Sequence, residues 1–302
     1  MKRRGPLIAL AVLVGVVLVG VLIWALTRPP SVEDAAEDYL TALAEGDYPA
    51  IAAMSDSGLD ASTEATLADA FAGAAYGTAP EVEEITPSEG FTGVRSSMEF
   101  AGERHTVFFG MALRSGRWTV ATDYLAVLEV ATGIGDSVWV GDALVPVGEV
   151  LLLPAVYPVS PAPRAVLDGG TEVVVSNEEP ASVAVDATLT ENAAAQVQAQ
   201  LDPYLDECTA PGAVVPDACG IRIPWAADLA TLENLTYRIE RRPAVALAPA
   251  DGSFAATGGV LVVTATGTTH AGTAGEFTYR ADDWVLYGSI AFRGDELVLA
   301  VR

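Results

Sequence analysis

The sequence predicts a membrane-anchored α+β protein: an N-terminal transmembrane helix, a domain of helices followed by an antiparallel sheet, a small β-sandwich module and a second α+β domain. Three observations predict it. Residues 7–26, LIALAVLVGVVLVGVLIWAL, are uncharged and almost wholly apolar. Beyond them the apolar period is helical up to Pro80 and then alternates. A second helical pattern at 191–208 is again followed by alternation. At 302 residues the chain is long enough for two or three cores.

The apolar run comes first. Its 20 residues rise about 30 Å as a helix at ~1.5 Å each, the thickness of a bilayer's hydrocarbon core. Lys2, Arg3 and Arg4 precede it and only Arg28 follows closely. The positive-inside bias therefore puts a cytoplasmic tail at 1–6, the span at 7–26, a linker at 27–30 and everything later outside the plasma membrane. Trp24 suits the outer interface. A cleaved signal peptide is the rival, but its apolar region is usually ~7–15 residues, and no clear small-x-small cleavage site follows Leu26. Membrane lipid is thus an expected partner through residues 7–26.

The chain carries 40 acids against 16 bases, a formal charge of −24. Such a surface repels nucleic acid and anionic head groups, so no nucleic-acid partner is expected. Solubility alone accounts for an acidic surface; weak binding of cations or a cationic partner is the other consequence. Lys2 is the only lysine beside fifteen arginines, in a chain rich in Ala, Val and Gly, as in a high-GC genome.

The two cysteines, Cys208 and Cys219, lie in LDECTAPGAVVPDACG. Structural zinc needs four closely spaced Cys or His ligands, and the two histidines, His105 and His270, are far apart. A thioredoxin-like pair needs C-x-x-C. In an oxidising exterior the pair reads most simply as a disulfide, with free thiols or a regulatory redox pair as alternatives.

Residues 31–127 form the first α+β domain. In SVEDAAEDYLTALAEGD, Ser31 can cap a helix with Asp34 in the capping-box position, and Val32, Ala35, Ala36, Tyr39, Leu40 and Leu43 share a face. Gly46 ends it. YPAIAAM reads as a short apolar turn and STEATLADAFAGAAYG as a second helix. EVEEITPSEG, FTGVRSSMEF, RHTVFFGMAL and RWTVATDYLAV read as strands of a meander, the last two joined at Ser115-Gly116.

Ala36-Glu37-Asp38-Tyr39-Leu40, then Glu45-Gly46-Asp47-Tyr48, and the closing strand Arg117-Trp118-Thr119-Val120 resemble motifs of the nuclear-transport-factor-like cone fold, including the N-terminal domain of some penicillin-binding proteins. The resemblance covers about a third of the chain and implies a cone-like helix-plus-antiparallel-sheet domain with a pocket. Its catalytic members use a carboxylate base beside a Tyr or Asp donor, but the resemblance assigns those roles to no residue here. Glu99, His105, Asp123 and Tyr124 are polar residues on or near the predicted strands. Each is a candidate for facing the pocket, and each equally suits an exposed strand position.

Residues 128–189 show short β runs between Gly, Pro and Asn turns, as expected of a small β-sandwich. Val138-Trp139-Val140-Gly141-Asp142 with Leu152-Leu153-Pro154-Ala155-Val156-Tyr157-Pro158-Val159 is similar to PEGA-type envelope modules, though Ala155 stands where that pattern often has Gly. The resemblance implies a spacer. The second α+β domain, 190–302, opens on a helix that Thr190 can cap, with Val197, Leu201, Leu205 and Cys208 on one face and a kink or break expected at Pro203. Long alternating strands follow, in which Asp282-Asp283 suggests a hairpin turn. Leu205-x-Glu207-Cys208 and Pro216-x-x-Cys219, together with the span and the cone, resemble actinobacterial membrane-anchored proteins.

Motifs for chemistry are missing from the sequence. There is no G-x-S-x-G, no transpeptidase S-x-x-K and no P-loop, dinucleotide fingerprint or EF-hand loop, and DSGLD at 56–60 lacks calcium-ligand spacing. Arg238, Arg241 and Arg242 suit local ion pairs better than an acidic partner. No catalytic residue, cofactor or metal ligand is assigned. The expectation is a non-enzymatic, single-pass extracytoplasmic protein that binds or scaffolds a cell-envelope component, with a protein partner. The alternative is a small-ligand sensor or an isomerase-like enzyme that uses the cone pocket.

Overall fold

A computed structural model describes residues 31–56 and 58–302. The predicted span at 7–26, with its tail and linker, lies outside the described residues. Among these residues no helix is long and apolar enough to cross a membrane. They form a mixed α+β fold, mostly sheet, with four α-helices.

Helix α1, Val32–Glu45, starts at the expected capping box: Asp34 N donates to Ser31 Oγ at 3.1 Å and Ser31 N to Asp34 Oδ2 at 3.2 Å. It buries Ala36, Tyr39, Leu40 and Leu43 and ends at Gly46, whose φ of +70° is left-handed. The Tyr76 ring fills the place a Cβ would take on Gly46. The expected turn YPAIAAM is instead a helix, α2, Tyr48–Met54. Asp47 caps it by accepting from Ala50 N at 3.0 Å, and Pro49 sits in the first turn, where its missing N–H costs nothing. Helix α3, Ala61–Ala72, is capped by Asp60.

Strands β1 (Thr78–Pro87), β2 (Thr92–Phe100), β3 (Glu103–Arg114) and β4 (Arg117–Val120) form an antiparallel meander in that order. The last strand was expected to run on through DYLAV, but it stops at Val120. A 3-10 turn at Thr122–Tyr124 intervenes, and β5, Ala126–Thr132, joins a different sheet across position 127/128. Asp56 holds the turn by accepting from Thr122 N at 3.2 Å and Thr122 Oγ1 at 2.9 Å.

Next come β6 (Ser137–Val140), β7 (Ala143–Pro146), β8 (Gly148–Leu152), β9 (Ala155–Pro161), β10 (Leu167–Asp168), β11 (Thr171–Val175), β12 (Ala181–Val185) and β13 (Thr188–Leu189). They make a four-stranded sheet ordered β11-β9-β6-β7, a three-stranded sheet ordered β12-β5-β8 with β12 parallel to β5, and a β10-β13 pair. One core runs from Leu40 and Phe71 through Met98 and Phe109 to Leu128, Val140 and Tyr157. The helices, the meander and these two sheets therefore bury their apolar faces together.

A second core contains α4, Ala193–Cys208, and strands β14 (Leu229–Arg241), β15 (Ala244–Ala248), β16 (Ser253–Thr269), β17 (Ala274–Arg293) and β18 (Glu296–Val301). The sheet is ordered β14-β16-β17-β18, with β15 also paired to β16. Asn192, not Thr190, occupies the position before the helix, and Thr190 N donates to Val166 O at 3.0 Å. The helix continues through Pro203. Burial of Val197, Leu201, Leu205 and Cys208, at roughly 1.5–3 kcal/mol for a large apolar side chain, offsets the ~3 kcal/mol cost of an internal proline.

Asp282-Asp283 is no turn; both residues lie inside β17. Gly259 pairs with Trp284 and Leu261 with Ala281, so the two aspartates stand opposite Val260 alone, which is a β-bulge. Cys208 and Cys219 form the expected disulfide, with a Cα–Cα distance of 5.6 Å. It ties the end of α4 to a loop at 209–228 that packs on the sheet: Trp284 Nε1 donates to Cys219 O at 2.8 Å, and Tyr279 OH to Asp228 Oδ2 at 2.8 Å. The arginines are engaged locally. Arg238 pairs with Glu240 at 2.9 Å, Arg242 with Asp206 at 2.6 Å, and Arg241 Nε donates to Gly258 O at 2.6 Å.

Candidate functional site

A cavity of about 190 Å³ opens in the first core between the helices and the meander. Tyr39 from α1, Tyr48, Ile51 and Ala52 from α2, and Leu67 from α3 form one side. Val107 and Phe108 from β3, Val120 from β4 and Tyr124 from the following turn form the other. Asn177, from the β11–β12 loop, completes the wall.

Several polar groups at the cavity are engaged within the protein. Asn177 Oδ1 accepts from Phe108 N at 2.8 Å, while its Nδ2 donates to Tyr124 O at 2.7 Å and to Phe108 O. It acts as a clip between the second group of sheets and the meander. Asp56 holds the Thr122 turn, and its own N–H donates to Val120 O at 2.9 Å. Tyr48 OH donates to Glu64 O at 3.1 Å. Burial pushes the Tyr48 phenol pKa up, and the Glu64 charge adds to the shift.

Tyr39 is different. Its side chain is 5% exposed and lines the cavity, yet its hydroxyl has no hydrogen-bond partner among the described residues. Burial drives its pKa far above the usual tyrosine value, so the group is a neutral phenol at any physiological pH. The hydroxyl is not among the fully enclosed polar atoms that lack a partner, which are His105 Nε2 and Tyr237 OH among the described residues, so it opens on the cavity. A guest with a hydrogen-bond acceptor could receive its proton.

No protein-family model, curated protein or solved structure matches this chain. What the cavity can do is therefore read from its own residues. The perturbed groups in its lining are tyrosines pushed away from neutrality, the wrong direction for proton transfer near pH 7. Asp56 and Asn177 are tied to backbone and side-chain donors and acceptors. Among the described residues no group of three or more His, Cys, Asp or Glu is placed to hold a metal ion.

The structure separates the four polar candidates. Tyr124 lines the cavity, its ring lying over Gly110, where a Cβ would collide with it. Glu99 pairs with Arg104 at 3.5 Å, and Asp123 is exposed. His105 sits opposite Met98 with its ring centroid 5.8 Å from that of Phe100 and its Nε2 buried without a partner, away from the cavity lining. Sequence reasoning missed Tyr39, Asp56 and Asn177. Tyr39 was placed on the buried helix face, which is correct, but nothing local marks its hydroxyl as unpaired. Asp56 was weighed only as a calcium ligand. Asn177 reaches the cavity through a contact 69 residues away in sequence, for which no local signal exists.

Proposed function

We propose that this is a membrane-anchored, extracytoplasmic, non-enzymatic binding protein, whose first domain, of nuclear-transport-factor-like cone type, holds a small molecule. The observation that carries the reading is the Tyr39 side chain, buried in the wall of a cavity of about 190 Å³ with its hydroxyl unpartnered among the described residues. That size is below the ~300–1,000 Å³ of sites for drug-sized ligands, so the guest is small. The Cys208–Cys219 disulfide supports an oxidising, extracytoplasmic setting, and the apolar run at 7–26 supports the anchor. Binding rather than catalysis is favoured because Asp56 and Asn177 already hold the structure together.

A thermal-shift screen of the full-length protein against small molecules tests this. At least one compound should stabilise the wild type, by about 2.7 kcal/mol at a hundredfold excess over its Kd. It should do so less in Tyr39→Phe, which deletes the free hydroxyl, and not at all in Ala52→Trp, which fills the cavity. A screen without a hit, or hits indifferent to both substitutions, overturns the reading.

A second observation favours an envelope partner as well. Leu144, Val147 and Leu151 are each exposed within the short β7–β8 segment, where edge strands of both sheets present apolar side chains. Crosslinking in the native envelope should recover one defined protein through this segment.

A further inference from the structure

We propose that the ligand of this cavity is a small organic cation of the alkylammonium class. The inference rests on the binding function proposed above and adds the chemistry of the guest.

The charges of the wall come first. Asp56 and Glu64 line the cavity, and among the described residues no Lys, Arg or His side chain does. Glu64 is exposed and stands at the rim; Asp56 is half-buried. Among the described residues Asp56 has no ion-pair partner within 4.0 Å, although Arg114 shares an adjoining shallow depression with it. An anion entering this space would meet two carboxylates and no compensating base. A neutral guest would leave the negative field unused.

The aromatic content points the same way. Tyr39 and Tyr48 line the cavity from the helix side. Aromatic rings attract a cation through their quadrupole, by about 0.5–2 kcal/mol each according to how dry the site is, and cages of such rings are a recurrent solution for alkylammonium groups. A hard metal ion, by contrast, needs about six or more oxygen ligands, and aromatic faces supply none.

The free Tyr39 hydroxyl then selects among organic cations. Its side chain is buried within the wall, and the hydroxyl can donate to a hydroxyl or carbonyl oxygen carried near the charged group. Finally, a chain of net charge −24 raises the local concentration of cations before they reach the cavity.

Isothermal titration calorimetry on the full-length protein, at fixed ionic strength near 0.15 M, tests the inference with choline and its neutral carbon isostere 3,3-dimethylbutan-1-ol. The two have almost the same shape and differ in charge. Choline should bind at least about tenfold more tightly, a difference of ~1.4 kcal/mol. Tyr48→Leu, which keeps apolar bulk and removes a ring, should cut choline affinity several-fold and leave the isostere unchanged. Asp56→Asn should do the same, and Tyr48→Leu keeps the test valid if that substitution disturbs the Thr122 turn. Equal or tighter binding of the isostere overturns the cation inference and leaves the binding function standing. Choline binding that survives both Tyr48→Leu and Ala52→Trp is association with the acidic surface, and also overturns it. If neither probe binds, the inference fails, while the separate thermal-shift screen decides the binding function.

Discussion

Trp139 Nε1 donates to Asp295 Oδ1 at 3.1 Å, joining β6 to the β17–β18 turn across 156 residues of chain. The same oxygen accepts from Arg164 N at 3.1 Å, and the Arg164 guanidinium lies 4.3 Å from the centre of the Trp139 ring. Arg164 Nη2 also donates to Gly141 O at 3.0 Å. One carboxylate thus organises the contact between the two cores. Asp295→Ala should lower the stability of the full chain by about 1 kcal/mol, the small end of the range for a lost hydrogen-bond acceptor, because the site is exposed and water can replace it. Thermal melts followed by tryptophan fluorescence should show the change, and hydrogen exchange should quicken at β18 before it does in the meander. An unchanged melt and exchange pattern would remove Asp295 from this role.

The neighbouring residue, Gly294, donates its N–H to Asp136 Oδ1 at 3.0 Å, and Ser137 Oγ donates to the same oxygen at 2.8 Å. These two bonds, the backbone one first, hold the Asp136 carboxyl below its ordinary value of 3.8. A depressed folded-state pKa stabilises the protein above the unfolded value and is lost as the pH falls through the folded one. The contact should therefore be intact at pH 5 and above and weaken on acidification below 3.8. Asp136→Asn should reduce the slope of stability against pH in that acid range and leave the slope near neutrality unchanged. Identical acid slopes for the two proteins would count against the assignment.

The disulfide is the third testable element. The loop it closes spans a sequence separation of 11 residues, for which chain entropy alone gives roughly 3 kcal/mol. Replacing Cys208 and Cys219 together with Ala should lower stability by about that amount. The loss should fall mainly on the second core, because the bridged loop carries the acceptor for Trp284 Nε1. Intact-mass measurement of the full chain prepared without reductant should find no free thiol.

Much of this was readable in advance because it depends on local rules. The Ser31–Asp34 capping box, the stop at Gly46 and the Ser115-Gly116 turn each follow from residues within four positions of one another. The errors came where a distant partner decides the outcome. YPAIAAM is helical because Asp47 caps it and Ile51 is buried, although seven residues would be too short to persist alone. Asp282-Asp283 stays in a strand because β16 pairs on both sides of it and absorbs the pair as a bulge. The cavity is the extreme case. Its wall is assembled from three helices, two strands and the connections that carry Leu153-Pro154 and Asn177, so its residues carry no common spacing in the chain.

That assembly makes Asn177 the most informative single position. Its oxygen accepts from Phe108 N, and its amide nitrogen donates to the carbonyls of Phe108 and Tyr124. Asn177→Ala removes an acceptor and a donor at a half-buried place, so a loss of about 1–3 kcal/mol is expected. Asn177→Asp is nearly the same shape and keeps the bond from Phe108 N, but it sets a carboxylate against two carbonyl oxygens with no proton to give. It should be at least as destabilising as alanine at pH 7 and recover part of the difference at low pH, where the carboxyl can donate. Chemical denaturation of both variants at pH 4 and pH 7 distinguishes a hydrogen-bonded clip from simple packing. If packing were what mattered, the aspartate variant would behave as wild type at both values, and the cavity wall would not depend on the clip.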